Sequence, residues 1–290
     1  MTADPRPAPA GASEQLLDPA PVRALSSLFD DGLAEVRDGD VLPPLWHWAA
    51  LARWTSSSRI GTDGHPVRDD DGPAAGLPRR MFAGGEVQLR APLRVGTTVR
   101  RENEVLAVNE KNGRSGAFVV VTTETRLFAD GETPALVERQ DIVYRPAAEV
   151  RAPDTQLAQG GPPVGSPLRR ENEGWAFDSD PSLLMRFSAA TANAHRIHYD
   201  WPYATAVEGY PGLVVHGPLM TMSLAEAVRL DFADRPVRLR HRNVAPLFCG
   251  QSAYISCTRT GSESVALAMQ SGPRDRPTTH TTLAVDFIEL

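Results

Sequence analysis

Apolar positions recur along this chain at two periods, one helical and one extended. Over 217–229 the residues Leu219, Met220, Met222, Leu224, Ala225, Ala227 and Val228 leave almost no polar face before Glu226 and Arg229. A helix apolar nearly all round belongs inside a core. Gly217 is the expected N-cap, and Pro218 fits the first helical position, where a missing N–H costs nothing. A second helix is predicted over 21–36, with Val22, Leu25, Leu28, Phe29 and Leu33 on one stripe. Residues 40–54 hold three of the five tryptophans and read as core packing. Extended segments are predicted over 99–108, 116–127 and 135–144. The breaks at Asn112-Gly113 and Asp130-Gly131 are hairpin signals, so these strands form an antiparallel meander.

The meander has a second copy. Ala91-Pro92-Leu93-x-x-Gly96 recurs as Ala245-Pro246-Leu247-x-x-Gly250, at an offset of 154 residues (245 − 91). Strands are predicted after it too, over 252–259, 264–270 and 279–287. The expected organisation is a loose tail over 1–20, a first unit over 21–145, a Pro/Gly/Ala-rich linker over 146–170 and a second unit over 171–290. The polar, Gly/Asp-rich stretch 61–76 reads as a loop without metal-loop spacing, and no chemistry is assigned to it.

Composition narrows the class. At 41% hydrophobic residues the chain can build a sizeable core, and no apolar run approaches a bilayer span. The start lacks a basic region followed by an apolar stretch, so no secretory leader is expected. Two cysteines, Cys249 and Cys257, exclude a disulfide framework and fit a cytoplasmic protein. A formal charge of −6 speaks against a nucleic-acid surface.

Candidate chemistry gathers in 187–229, which holds three of the seven histidines. Asn193 and His198 are too far round a helix to share a face, so they meet at one site only if the chain turns between them. His198 can exchange a proton near pH 7, whereas Asn193 can only orient a water or a carbonyl. Beyond them the buried helix presents unpaired N–H groups and positive partial charge, which suits a developing oxyanion.

This segment, Asn193-Ala-His195-Arg-Ile-His198-Tyr-Asp200 followed by His216-Gly217, resembles the signature of the MaoC-like, or R-specific enoyl-CoA hydratase, family of the hotdog fold. The longer string HRIHYD…VEGYPGLVVHGPL resembles a two-hotdog subfamily that includes mesaconyl-C4-CoA (3-methylfumaryl-CoA) hydratase and the fungal-type 3-hydroxyacyl-thioester dehydratases. The resemblance implies an α+β double hotdog, two antiparallel sheets each wrapped around a central helix. It places His198 as the catalytic histidine and Gly217 as the glycine whose N–H binds the thioester oxygen. Asn193 stands where most of the family has the catalytic aspartate, and His195-Arg196 replace the usual Asn-Pro. The first unit has no Asn/Asp-x-x-x-x-His, only His47 and His65, and is expected to bind and support.

The activity implied is a hydro-lyase reaction, water added to or removed from an enoyl/3-hydroxyacyl thioester of CoA or acyl carrier protein. Its expected catalytic residues are Asn193, His198 and Gly217. A non-catalytic acyl-thioester binding module and a thioesterase are the alternatives. No cofactor and no membrane partner is expected, and a homodimer is left open. His195-x-x-His198 with Asp200 and His216 suggests a divalent ion only weakly, because those positions already match a metal-free motif. His195, Arg196, His216 and Arg242 are the expected substrate-binding residues. If the acyl group ends in a carboxylate, Arg196, Arg242, Arg79 and Arg80 are the candidate partners, since a guanidinium fork binds both oxygens.

Overall fold

Two helices of this chain open on the same pair of residues. Asp18 caps α1 (Pro19–Phe29) by accepting the Ala20 N–H at 2.8 Å. In the second half Asp180 caps α3 (Pro181–Ala190) by accepting the N–H groups of Ser182 and Leu183. Such caps contribute about 1 kcal/mol each, and proline at the first position adds a pre-set φ. The computed structural model describes residues 12–67, 74–113, 116–147, 165–172, 174–233 and 235–288. In chain order it begins with β1 (Ser13–Leu16), α1, α2 (His47–Ala50), β2 (Arg79–Leu89), β3 (Thr98–Gly113), β4 (Gly116–Phe128) and β5 (Leu136–Arg145). It continues with β6 (Leu168–Glu171), β7 (Gly174–Phe177), α3, α4 (Gly217–Asp231), β8 (Arg235–Asn243), β9 (Ala253–Gly261), β10 (Ser264–Ser271) and β11 (Thr278–Ile288).

The strands join in the order β1-β3-β4-β5-β2-β8-β11-β10-β9-β7-β6. The two expected sheets are thus continuous through one antiparallel seam, where Gly84 to Gln88 of β2 face Arg242 to Arg238 of β8. Neither seam strand is among the predicted ones; the six meander strands lie within a few residues of their expected places. The Ala-Pro-Leu-x-x-Gly repeat does the same work twice. Leu93 O accepts from Leu42 N–H and Leu247 O from Val215 N–H, both at 2.8 Å. Gly96 N–H and Gly250 N–H then reach back to Leu17 O and Ser179 O.

These bonds make Leu42 and Val215 counterparts, and the halves diverge just beyond them. After Val215 comes α4, buried from Leu219 to Val228 and packed on β8, β10 and β11. After Leu42 come Pro43, Pro44 and a left-handed Leu45 (φ 70°), and the helix that follows, α2, has only four residues. Consecutive prolines and a φ > 0 residue oppose a long helix. Among the described residues the double hotdog thus has one long central helix, α4.

Other expectations need correction. Residues 13–20 are not a loose tail, because β1 pairs with β3 and α1 starts at Pro19. The helix expected over 21–36 ends at Phe29, where Asp30 turns left-handed, and Leu33 is exposed. His216 rather than Gly217 is the N-cap of α4. Of the clustered tryptophans, Trp46 is buried and stacks on Phe29, while Trp54 is exposed. The expected linker includes β6, and its residues 148–164, like tail residues 1–11 and loop residues 68–73, lie outside the described ones.

Candidate active site

The turn between Asn193 and His198 is built from local bonds. Asn193 N–H donates to Ser188 O, and Asn193 Oδ1 accepts from His195 N–H at 3.1 Å. Ala192 just before is left-handed (φ 49°), a conformation that costs a non-glycine residue about 1 kcal/mol. A single 3-10 turn, Arg196–His198, then swings the His198 ring inward. There His198 Nδ1–H donates to Val214 O at 2.7 Å, and Val214 N–H donates to Ile197 O. A carbonyl can only accept, so Nδ1 carries the proton and the lone pair of the neutral ring is on Nε2.

Burial pushes the His198 pKa down to about 4, against the pull of the Val214 carbonyl. Behind the ring lies His216, face to face with it at 3.6 Å between centroids. His216 is fully buried, its Nε2 is within 2.8 Å of Ser188 Oγ, and burial holds its pKa well below the usual value. Two steps in front of His198 stands a loop of the first half. Arg196 N–H donates to Asp63 O, and Arg196 Nη1 donates to Thr62 O, each at 2.9 Å. Gly64 has φ +89°, and a Cβ there would sit 1.8 Å from Ala194 O. No other residue fits that seat.

The docked loop brings Asp63 and His65 to the site. His65 Nδ1 lies 2.9 Å from Asp63 Oδ2, and Asp63 Oδ1 accepts the His65 backbone N–H at 3.0 Å. Burial of Asp63 works against its charge, yet these two bonds hold its pKa at about 2. The His65 ring is 4.1 Å from His195, which meets His198 edge-on at 5.4 Å. Four imidazoles thus form one row, His65, His195, His198 and His216. Burial, with His65 and His198 alongside, pushes the His195 pKa down to about 2.

The first three rings of the row form part of the wall of a cavity of about 910 Å³, lined among others by Asp63, His65, Arg80, Asn193, His198 and Gly217. That volume suits a sizeable acyl ligand. Gly217 opens α4, so its N–H has no partner within the helix. A Cβ on Gly217 would press on Asn243 Nδ2 at 3.1 Å and Phe82. On the far wall, Glu138 accepts from Trp48 Nε1–H at 2.6 Å and lies 3.1 Å from His47 Nε2. The carboxyl is held below its usual pKa because His47 and these bonds outweigh its burial.

Asn193, His195, His198 and Gly217 therefore meet where the sequence placed them, and three expected substrate contacts do not. Arg196 turns away from the cavity to Asp200, Thr62 O and the Tyr203 ring, and its work is to hold the two loops together. His216 is sealed behind His198. Arg242 alternates with buried His241 on β8 and points to the outer face of the sheet. Arg79 and Arg80 do line the cavity, but Arg79 is committed to Glu208 and Tyr210. Asp63 and His65 were missed. The one available signal was that His47 and His65 are the first half's two histidines, and both face the cavity.

The set His195, His198, Asp200 and His216 does not converge, because Asp200 is drawn to Arg196 and to the Tyr203 N–H. Among the described residues one group has donor atoms within 4.8 Å of one another, Asp63, His65 and His195. Asp63 and His65 share a hydrogen bond there, and the His195 ring packs against that of His65 at 4.1 Å.

Fold and site define a class, a double hotdog whose histidine-bearing loop and central-helix start come from the second half. HtdX of Mycobacterium tuberculosis shares the fold, with a TM-score of 0.64 over 96% of this chain and 100% of that one at 18% identity. A second protein of that organism, described as having a double hotdog fold, matches with a TM-score of 0.55 over 96% and 94% of the two chains at 13% identity. The family is closer at hand in sequence. The model for hydroxyacyl-thioester dehydratase type 2 matches residues 45–249, and the chain belongs to that family, an enzyme of the hydro-lyase type. It is also 45% identical over 208 residues to the mesaconyl-C(4)-CoA hydratase of Chloroflexus aurantiacus, covering 71% of each protein. Among the described residues no helix is long and apolar enough to cross a membrane.

Proposed function

We propose that the protein adds water across the double bond of an enoyl thioester whose acyl group carries a free carboxylate, a substrate of the mesaconyl-C4-CoA type. The observation that carries this reading is the pairing of two groups on one cavity. His198 presents a neutral imidazole with its lone pair on Nε2, and Gly217 presents a backbone N–H at a helix start. His198 Nε2 takes a proton from water as the water oxygen bonds to Cβ, a role worth about 10²–10⁴-fold. The π electrons move to the thioester oxygen, where the Gly217 N–H meets the developing charge; one such donor is worth about 3–4 kcal/mol. Asn193, at the mouth of the turn, keeps its side-chain amide for the loop and the water.

The carboxylate partner in this reading is Arg80. It lines the cavity and stands near enough to His195 to bear on that ring's charge. A buried carboxylate without such a partner costs several kcal/mol. The cavity beside α2 leaves room for the acyl group and the thioester arm. The free thiols of Cys249 and Cys257 support a reducing compartment such as the cytoplasm. The test compares an enoyl-CoA ending in a carboxylate with one ending in methyl. The first should lead in kcat/KM by roughly one to two orders of magnitude, about 1.4–2.8 kcal/mol. Arg80→Gln should erase the preference and keep turnover of the methyl substrate. Equal use of both by the unaltered protein would sink the dicarboxylic assignment.

A further inference from the structure

Water addition needs a second proton transfer. While His198 takes a proton from water, the α-carbon must gain one. In the sequence the partner position of His198 holds Asn193, which has no proton to exchange in this range. The structure supplies a titratable pair nearby, from a loop 130 residues earlier (193 − 63). Asp63 and His65 share a 2.9 Å hydrogen bond, both line the substrate cavity, and His65 stands in the same row as His198 with only His195 between them.

Resting on the hydratase reading, we propose that His65 is the acid that protonates the α-carbon, with Asp63 as the residue that orients it and balances its charge. In the acid form that starts the step both ring nitrogens carry a proton, Nδ1–H given to Asp63 and Nε2–H serving the substrate. The step balances without another reactant. The water O–H breaks and its proton goes to His198 Nε2, while the oxygen bonds to Cβ. The π pair passes to the thioester oxygen and returns to form Cα–H with the proton of His65 Nε2. His198 ends with one proton more and His65 with one fewer. Exchange with bulk water returns the proton from His198 and restores that of His65 before the next turnover. Dehydration runs the same steps backwards, with His65 removing the α-proton.

The charged and titratable groups around His65 agree with this division. Asp63 lies on its own loop, His195 and His198 on the catalytic loop, and Arg80 on β2 lies close enough to bear on His195. The carboxylate is thus the one negative group among these neighbours, and it is bonded to His65. Arg196 and Gly64 both hold the loop against the 193–198 turn.

A partial reaction separates the two acid–base groups. A saturated thioester, butyryl-CoA or methylsuccinyl-CoA, cannot hydrate but can exchange its α-proton with deuterated water. The full-length protein should catalyse that exchange, followed by mass spectrometry. His198→Gln should lose hydration by at least about 10²-fold and keep most of the exchange. His65→Gln should lose both by at least about 10²-fold. Asp63→Asn keeps the Oδ1 acceptor for the His65 N–H, and so the turn. It should lower kcat and exchange by about tenfold or more with little change in KM. Thermal melts of the variants check that each is folded. Hydration by His65→Gln or Asp63→Asn within about threefold of the unaltered protein overturns the assignment. So does exchange that survives in His65→Gln and vanishes in His198→Gln. No hydration by the unaltered protein on either enoyl thioester would remove the hydratase reading and this one with it.

Discussion

His198 and His216 lie face to face, 3.6 Å between ring centroids and 20° between planes. Burial keeps the His198 ring neutral down to about pH 4, and the stacked His216 covers one of its faces. The acid limb of kcat should therefore fall near pH 4, the depressed value of His198, and not near 6.5. Stability follows the same sign. The folded state binds fewer protons than the unfolded one between about pH 6.5 and 4, so stability contributed above pH 6.5 is lost as pH falls through that window. A pH–rate profile together with melting temperatures over pH 4–8 checks both. A limb at 6.5 would mean that His198 is solvated in the working enzyme.

Removing the base should show how much rests on it. His198→Ala is expected to lower kcat by at least about 10²-fold with the fold retained. At Asn193, aspartate keeps the acceptor for the His195 N–H, and Asn193→Asp should stay within about tenfold of the unaltered rate. Asn193→Ala loses that acceptor and should cost more, as the loop loosens. If alanine proved milder than aspartate, the turn would not be the residue's contribution.

Gly64 offers a test without touching a titratable group. A methyl there meets Ala194 O at 1.8 Å and must adopt φ +89°, so the two loops have to part. Gly64→Ala should cut kcat by about tenfold or more, since a displacement near 1 Å costs about that much or more. The melting temperature should move little, because few core contacts depend on the loop. A fully active variant would show that the loops need not touch.

Glu226 of α4 is buried and bonded to Arg229, which also reaches Asp31 at 3.0 Å. Burial, then the hydrogen bond with Asp31, pushes its pKa up to about 8. The folded state therefore holds a proton that the unfolded chain releases above about pH 4.5. Stability from this proton is present below that pH and declines as pH rises towards 8, by at most about 1.4 kcal/mol per unit. Glu226→Gln should flatten this slope and melt higher than the unaltered protein at pH 8. Parallel melting curves of the two proteins from pH 5 to 8 would refute the shared proton.

The parts of this fold that could be read from the sequence are those with a strong local pattern. The apolar run of α4, the β-branched strand β4 and the Asn193/His198/Gly217 signature each carry their evidence within a few residues. The seam strands do not. In β8 the outward positions are Arg238, Arg240 and Arg242, while one inward position is His241, so the apolar alternation is broken. In β2 the pair Gly84-Gly85 is there because the neighbouring backbone comes close, with Arg139 O 2.0 Å from any Cβ on Gly85. The arginines expected to meet the acyl group, Arg196 and Arg242, proved to be a clamp and an outer-face residue. Asp63 and His65 reach the site through tertiary docking, which no window of adjacent residues records.

The seat of Gly64 against Ala194 also sets an order of events in time. Loops so distant in sequence meet late, after the entropy of closing the chain between them has been offset by other contacts. The β2–β8 seam, which joins the two halves, is expected to form before the 62–65 loop settles. During refolding from denaturant, the helical signal of α4 should return first, and turnover should lag behind it until the halves have docked. The last thing this chain learns is how to work.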